Sequence, residues 1–316
     1  MGAQLRVYRR RIRSVQSTRK ITKAMELIAA SRIVKAQARM RAARPYAEEL
    51  TRALAAVLKD GSLKNPMLTG VEDPRRTGIL LITSDRGLAG GYNANAIRAA
   101  NELVRKLESD GREVVRYVIG RKGTAYFNFR RIEVAGSWTG FSEQPSFADI
   151  REATETIGVA LSLTSANDEN DRKGLDELYV VFTRFKNSVS QIPIAELVSP
   201  VKDVKDIAGA AHDDGADDKG SKDEPVAYEF EPEPEELIAA LLPRYISARI
   251  FSALLESAAS ESAARRRAMK SASDNAEELI NTYTRLANQA RQAEITQEIS
   301  EIVGGADALA SAGRDQ

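Results

Sequence analysis

Residues 4–43, QLRVYRRRIRSVQSTRKITKAMELIAASRIVKAQARMRAA, decide the architecture. They contain neither Gly nor Pro and are rich in Ala, Arg, Lys and Gln, all good helix formers, so they read as one helix about 60 Å long. A three-four spacing runs through Leu5, Tyr8, Ile12 and Val15, crosses the polar Arg19 and Thr22, and continues through Glu26, Ala29, Ile33, Ala36, Met40 and Ala43. That stripe is the seam of a two-helix contact. Its small and polar members weaken it as a leucine-zipper dimer and suit close packing against a dissimilar helix or a surrounding bearing surface. Pro45 is expected to kink or break the helix before Tyr46, Leu50, Leu54 and Val57 resume it.

The far end of the chain repeats the pattern. From about Pro234 to Val303 a second long helix is expected, on the order of 100 Å, with Pro243 inside it and a stop at Gly304 and Gly305. Met269, Ala276, Ile280, Tyr283, Ala287 and Ala290 keep a heptad phase, which then shifts to Ile295, Ile299 and Ile302. Two such helices in one chain pair most economically as an antiparallel coiled coil. A separate homo-oligomeric bundle for each is the alternative.

Between the helices the pattern changes to short apolar runs alternating with helical segments, the mark of an α/β unit. Strands are expected at 78–83, 113–119, 177–182 and around 191–198, and helices at 94–108 and 146–163. The fold class is therefore α/β: a long antiparallel coiled coil of the N- and C-terminal helices plus a small central Rossmann-like domain. The chain divides into an N-terminal coiled-coil helix (1–60), the central domain (75–200), an acidic flexible insert (201–227), a C-terminal coiled-coil helix (228–305) and a tail (306–316). A polar surface loop is expected over 165–173.

Charge is segregated although the totals nearly cancel. Residues 1–44 hold thirteen Lys and Arg against the single acid Glu26, a net of +12, and residues 203–236 hold thirteen acids against three Lys, a net of −10. So many unbalanced cations on one helix call for an acidic partner. Clustered arginines such as Arg9, Arg10, Arg11 and Arg13 also admit a nucleic-acid reading, which the shared seam and the lack of interleaved aromatics disfavour.

Enzymatic chemistry finds little support. There is no Cys, and the only histidine, His212, lies in the acidic insert, which removes thiol chemistry, histidine triads and Cys/His zinc sites. No cofactor is called for. The stretch from Thr83 to Asn93, TSDRGLAGGYN, follows a strand and precedes a helix, where backbone amides can hold phosphate. Its glycine spacing matches neither the dinucleotide fingerprint nor the Walker motif, so a tight turn capped by the Asp85 carboxylate is preferred over a nucleotide-binding enzyme. No secretory signal and no bilayer-spanning run is read.

Three stretches carry a resemblance that covers almost the whole chain: SVQSTRKITKAMEL (14–27), SDRGL (84–88) with Gly90, Gly91 and Asn93, and ARQAEITQEI (290–299) with Glu301, Gly305 and Ala306. On these residues the chain resembles the γ-subunit family of F-type ATP synthases, the central rotor stalk, in its bacterial form. The absence of Cys separates it from the thiol-switched chloroplast type. The resemblance implies a non-catalytic shaft that turns inside a hexamer of α and β subunits, with an ε subunit and a membrane c-ring as further partners and with no nucleic acid and no span of its own. It implies a place at the cytoplasmic side of the cell membrane, as a peripheral subunit coupling proton flow to ATP synthesis and regulating ATPase activity. By that analogy Arg10, Arg13, Lys20 and Lys23 face acidic loops of the β subunits, and Met25, Arg265 and Met269 lie where rotor and stator slide. Arg291, Gln292, Thr296 and Glu298 form a catch for a catalytic-subunit loop, and Tyr228 and Glu231 form a foot on the membrane ring. The insert near 205–224 and the loop near Asp168 are longer than the family pattern requires.

Overall fold

A computed structural model describes residues 2–58, 65–163, 174–201 and 233–312. In chain order the elements are α1 (Gly2–Leu58), α2 (Pro66–Thr69), β1 (Arg76–Ile82), α3 (Tyr92–Ser109), β2 (Glu113–Ile119), α4 (Arg121–Arg130), β3 (Gly136–Trp138), α5 (Phe147–Leu163), β4 (Glu177–Phe185), β5 (Gln191–Ser199) and α6 (Pro234–Ala312). They form two compact units, one from residues up to Ile28 together with those from Arg266 onward, the other Ala29–Arg265.

In the first unit α1 and α6 run antiparallel. Tyr8 stacks on Tyr283 with ring centroids 6.4 Å apart, Arg19 Nη1 lies 3.4 Å from Glu277 Oε1, and the Thr22 and Ser273 hydroxyls share a 2.7 Å hydrogen bond. Position numbers rise along α1 as they fall along α6. Leu5, Tyr8, Ile12 and Val15 are half-buried and Thr22 and Glu26 buried, so the seam stripe faces inward while its flanks stay exposed. With Tyr8 opposite Tyr283, the described residues of α1 reach to about position 290 of α6, and among the described residues the last twenty or so of α6, about 30 Å of helix, have none of α1 opposite them.

The second unit is built on a five-stranded sheet of order β3-β2-β1-β4-β5. β1 pairs in parallel with β2 and β4, β2 pairs in parallel with β3, and β5 is antiparallel to β4. All seven residues of β1 are buried, as a central strand covered on both faces requires. Alternation sorts them: Ile79 and Leu81 join Ala96, Ile97, Ala100, Val104 and Leu107 of α3, while Leu80 and Ile82 join Ile150, Ala153 and Ile157 of α5, Leu50, Leu54 and Val57 of α1, and Ile246, Ile250 and Leu254 of α6. Parts of both long helices are thus one layer of this unit. That burial accounts for the apolarity of α6, which contains a window long and apolar enough to cross a membrane.

Several elements differ from the sequence expectation. Pro45 lies inside α1, which does not break there. Proline costs about 3 kcal/mol in a helix, and the burial of Leu50, Leu54 and Val57 immediately after it, each worth about 1.5–3 kcal/mol, outweighs that. α6 passes through Gly304 and Gly305 to Ala312; a helical Gly costs only about 1 kcal/mol, and an Ala-rich stretch follows. α2, α4 and β3 were not legible as elements. The expected polar loop at 165–173 lies outside the described residues, as does nearly all of the acidic insert.

Candidate functional site

Two surfaces and one buried cluster concentrate the chemistry. The first surface is the outer side of α1. At about 100° per residue Arg10, Arg13 and Lys20 fall on the side away from the seam; all three are exposed, as is Lys23, whose Nζ lies 3.0 Å from Glu26 Oε2. Met25 is half-buried beside them. The arrangement is a cationic face whose charges are mostly unpaired by α1 itself.

The second surface is the bare end of α6. Ile295, Ile299, Ile302 and Val303 are all exposed, Ile302 at 72%. On the helical wheel they fall in one stripe about 100° wide. Gln292 lies within that stripe, Arg291 and Glu298 on one border and Thr296 on the other, and all four are exposed. Thr296 donates its hydroxyl hydrogen to the Gln292 carbonyl at 2.9 Å. An apolar stripe with a polar margin is what a helix shows when a partner encloses it.

Arg265 and Met269, which the family resemblance sets where rotor and stator slide, lie inward in the chain. Each is only 5% exposed, so neither side chain is presented outward. Arg265 instead anchors a buried cluster: its Nη2 donates to Glu261 Oε1 at 2.7 Å and to the carbonyls of Arg86 and Gly87 at 3.3 Å, its Nε donates to Gly87 O at 3.3 Å, and its Nη1 lies 3.2 Å from Glu143 Oε1. Glu143 also pairs with Arg32 of α1 and, at 3.5 Å, with Arg86. One carboxylate thereby ties α1, α6 and the β1–α3 loop together. Glu261 is 1% exposed, and burial pushes its carboxyl up to about 7 against the pull of Arg265. The Tyr92 hydroxyl, pushed up by burial and then by the Glu261 charge, donates to Ser257 O at 3.4 Å.

The β1–α3 loop is held by its own side chains. Ser84 N donates to Asn93 Oδ1 at 2.9 Å, Asn93 Nδ2 to Ser84 Oγ at 2.8 Å, and Ser84 Oγ to Arg86 O at 2.6 Å. Asp85 does not cap its own turn, contrary to the sequence expectation: α3 starts after Gly91 without a side-chain cap. The Asp85 carboxylate accepts hydrogen bonds from the backbone N–H groups of Arg121 at 3.0 Å, Gly140 at 2.8 Å and Ser142 at 3.0 Å. Burial opposes its ionisation, yet these bonds hold it below the usual carboxylate range. Sequence reasoning missed this contact, whose signal was the Gly120 and Gly123 pair at the next strand-to-helix turn. Tyr228 and Glu231 lie outside the described residues.

A family model described as ATP synthase matches residues 4–309. The chain is 52% identical over 313 residues to the ATP synthase gamma chain of Streptomyces coelicolor, covering 99% of this chain and 98% of that one. It is 53% identical over 312 residues to the same chain of Frankia casuarinae, covering 98% and 99%. Among solved structures it is similar to a chain of the Euglena gracilis mitochondrial ATP synthase rotor in rotational state 1, with TM-score 0.61, 16% identity and coverage of 93% and 100%. A chain of the OSCP/F1/c-ring of the same synthase in rotational state 3 gives TM-score 0.64 at 17% identity, covering 98% and 95%. At such identities the likeness is one of fold.

Proposed function

The chain belongs to the ATP synthase gamma-chain family, and from that premise we propose that its bare apolar helix end and its cationic α1 face are the two surfaces on which it turns against a catalytic hexamer. It is the central-stalk rotor subunit of F1 and is not itself catalytic. Its partners are the α and β subunits, with the c-ring below and an ε subunit beside it.

The end of α6 carries this reading. Four large apolar side chains stand in water in the isolated chain, and burying each would gain about 1.5–3 kcal/mol. A ring of subunits closed around the helix supplies that burial, and Arg291, Gln292, Thr296 and Glu298 at the margin of the stripe supply directional contacts to a loop of one catalytic subunit at a time. Arg10, Arg13, Lys20 and Lys23 meet acidic loops lower on the β subunits, and Met25 sits at the same level. Arg265 and Met269 contribute from inside by fixing the helices that carry these surfaces.

The mechanism follows from asymmetry. Two unlike helices present a different face to each of three catalytic subunits, so each subunit's nucleotide affinity is set by the face it meets. Rotation then moves the three through the same sequence of affinities, and by reciprocity nucleotide binding pushes back on the shaft. Proton flow through the membrane ring drives the shaft during synthesis, with Tyr228 and Glu231 as its foot, which places the subunit at the cytoplasmic side of the cell membrane as a peripheral component. For the domains we keep the reading of an N-terminal coiled-coil helix (1–60), a central α/β domain (75–200), an acidic insert (201–227), a C-terminal coiled-coil helix (228–305) and a tail (306–316).

Affinity purification of the tagged chain from gently solubilised membranes tests this. Recovery of one copy per ATP-hydrolysing hexamer is expected, whereas recovery of a free chain, or of a chain bound to nucleic acid, would overturn the assignment of both surfaces.

A further inference from the structure

Glu261 of α6 is a buried carboxyl with too few donors. Its side chain is 1% exposed, Oε1 accepts from Arg265 Nη2 at 2.7 Å, and Oε2 has no hydrogen-bond partner among the described residues. An ionised carboxylate in such a place needs donors on both oxygens to replace lost water. Arg265 could supply them but is committed elsewhere: Nη1 lies 3.2 Å from Glu143 Oε1, and Nε and Nη2 reach the Arg86 and Gly87 carbonyls at 3.3 Å. The other neighbours do not help. Glu143, from the segment between β3 and α5, repels a second negative charge and is itself held by Arg32 of α1 and by Arg86. Ser142 offers a hydroxyl, Tyr92 of α3 gives its hydrogen to Ser257 O at 3.4 Å, and β4 meets this turn of α6 through the uncharged Thr183, whose carbonyl accepts from Ser260 Oγ at 2.9 Å. The carboxyl therefore keeps its proton up to about 7.

The loop that Arg265 grips has a reason to move when released. Leu88, directly after the two gripped carbonyls, has φ +62°, a left-handed conformation that a non-glycine residue keeps only where its surroundings impose it. Its side chain is 61% exposed, so packing does little to impose it. Arg265, reaching across from α6, does.

We propose that Glu261 is a proton-operated latch on the β1–α3 loop: protonated, it leaves Arg265 on the Arg86 and Gly87 carbonyls, and ionised, it draws Arg265 away and frees Leu88. On losing its proton the carboxylate can satisfy Oε2 in two ways, by turning the guanidinium further toward itself or by admitting water between α6 and the loop. Either one costs the bonds to the carbonyls. At 3.3 Å and to neutral acceptors, these are the weakest that Arg265 makes, and they give way before its pairs with Glu143 and Glu261. A raised folded-state pKa fixes the direction: the latch holds on the acid side and opens as pH rises through that value. All of these contacts lie within the chain, and the inference does not depend on how the shaft meets the hexamer.

Because the chain has no Cys, a spin label on Leu88→Cys reads the latch in the full chain through its mobility as pH is raised. A group titrating near 7 goes from about one-tenth ionised at about pH 6 to about nine-tenths at about pH 8, so the mobile component should grow severalfold over that interval. Its midpoint should lie at about 7. A label on Val189→Cys, between β4 and β5, should not change. In Glu261→Gln, whose amide still accepts from Arg265 but does not titrate, the label on Leu88→Cys should keep its acid-side mobility throughout. No growth in the otherwise wild-type chain, equal growth at Val189→Cys, or the same growth in Glu261→Gln overturns the proposal. If Glu261→Gln does not fold, the two labels in the otherwise wild-type chain decide: growth confined to Leu88→Cys supports the latch, and any other pattern refutes it.

Discussion

Glu261→Gln turns the buried cluster into a measurable pH dependence. The folded-state pKa of Glu261 is raised from 4.5 to about 7. A carboxyl with a raised folded-state pKa binds a proton on folding, so its contribution is fully present below the unfolded pKa and is lost as pH rises through the folded one. Between pH 5 and pH 8 that loss amounts to about 2–3 kcal/mol, accruing at about 1.4 kcal/mol per pH unit on the acid side of the range. Glutamine keeps the side-chain shape and can still accept from Arg265, but it does not titrate. The assay is urea unfolding of the full chain at half-unit pH steps, with wild type and variant side by side so that every other titrating group cancels. The variant's stability relative to wild type should rise by about 2–3 kcal/mol from pH 5 to pH 8. A difference that stays constant across the range would refute the view that burial outweighs the pull of Arg265 on this carboxyl.

Gly120→Ala should destabilise the central domain by more than about 4 kcal/mol, because it adds both a left-handed strain and a Cβ at 2.2 Å from a carbonyl oxygen; denaturant unfolding reads this, and a loss under 1 kcal/mol would contradict the close approach. Tyr283→Asp removes the stack on Tyr8 and the contact with Arg11, whose Cζ lies 5.6 Å from the ring centroid; a loss of about 2 kcal/mol with falling ATP synthesis is expected, and unchanged stability with unchanged synthesis would count against the pairing. Ile299→Asp changes an exposed residue of the bare helix end and should leave the isolated chain within about 0.5 kcal/mol of wild type while weakening its assembly with the α/β hexamer. Equal assembly would remove the apolar end from the bearing.

The helices and the sheet could be read from the chain for different reasons. The seam of α1 was legible because a three-four spacing persists over forty residues, and β1, β2 and β4 because runs such as Ile79 to Ile82 are continuously apolar. β3 was not, since three residues carry no period, and α4 was hidden by Gly123 and by Phe127 and Phe129, which look as much like a strand as a helix. Helix ends were misjudged where tertiary burial overrides local propensity, as at Pro45, or where strong helix formers follow a weak pair, as at Gly304 and Gly305. The charged face was legible as composition. The inward turn of Arg265 was not, because its partners Glu143, Arg86 and Gly87 are more than a hundred positions away in sequence.

Because the chain has no Cys, a single cysteine at the exposed Val189 of the central domain gives one site for an optical label. The most direct measurement is to fix the α/β hexamer on a surface with this labelled chain in place, add ATP and follow the label's angle. Unidirectional rotation pausing at three orientations, one for each catalytic subunit, is the expected result. A label held at a fixed angle while the hexamer hydrolyses ATP would contradict the rotor account.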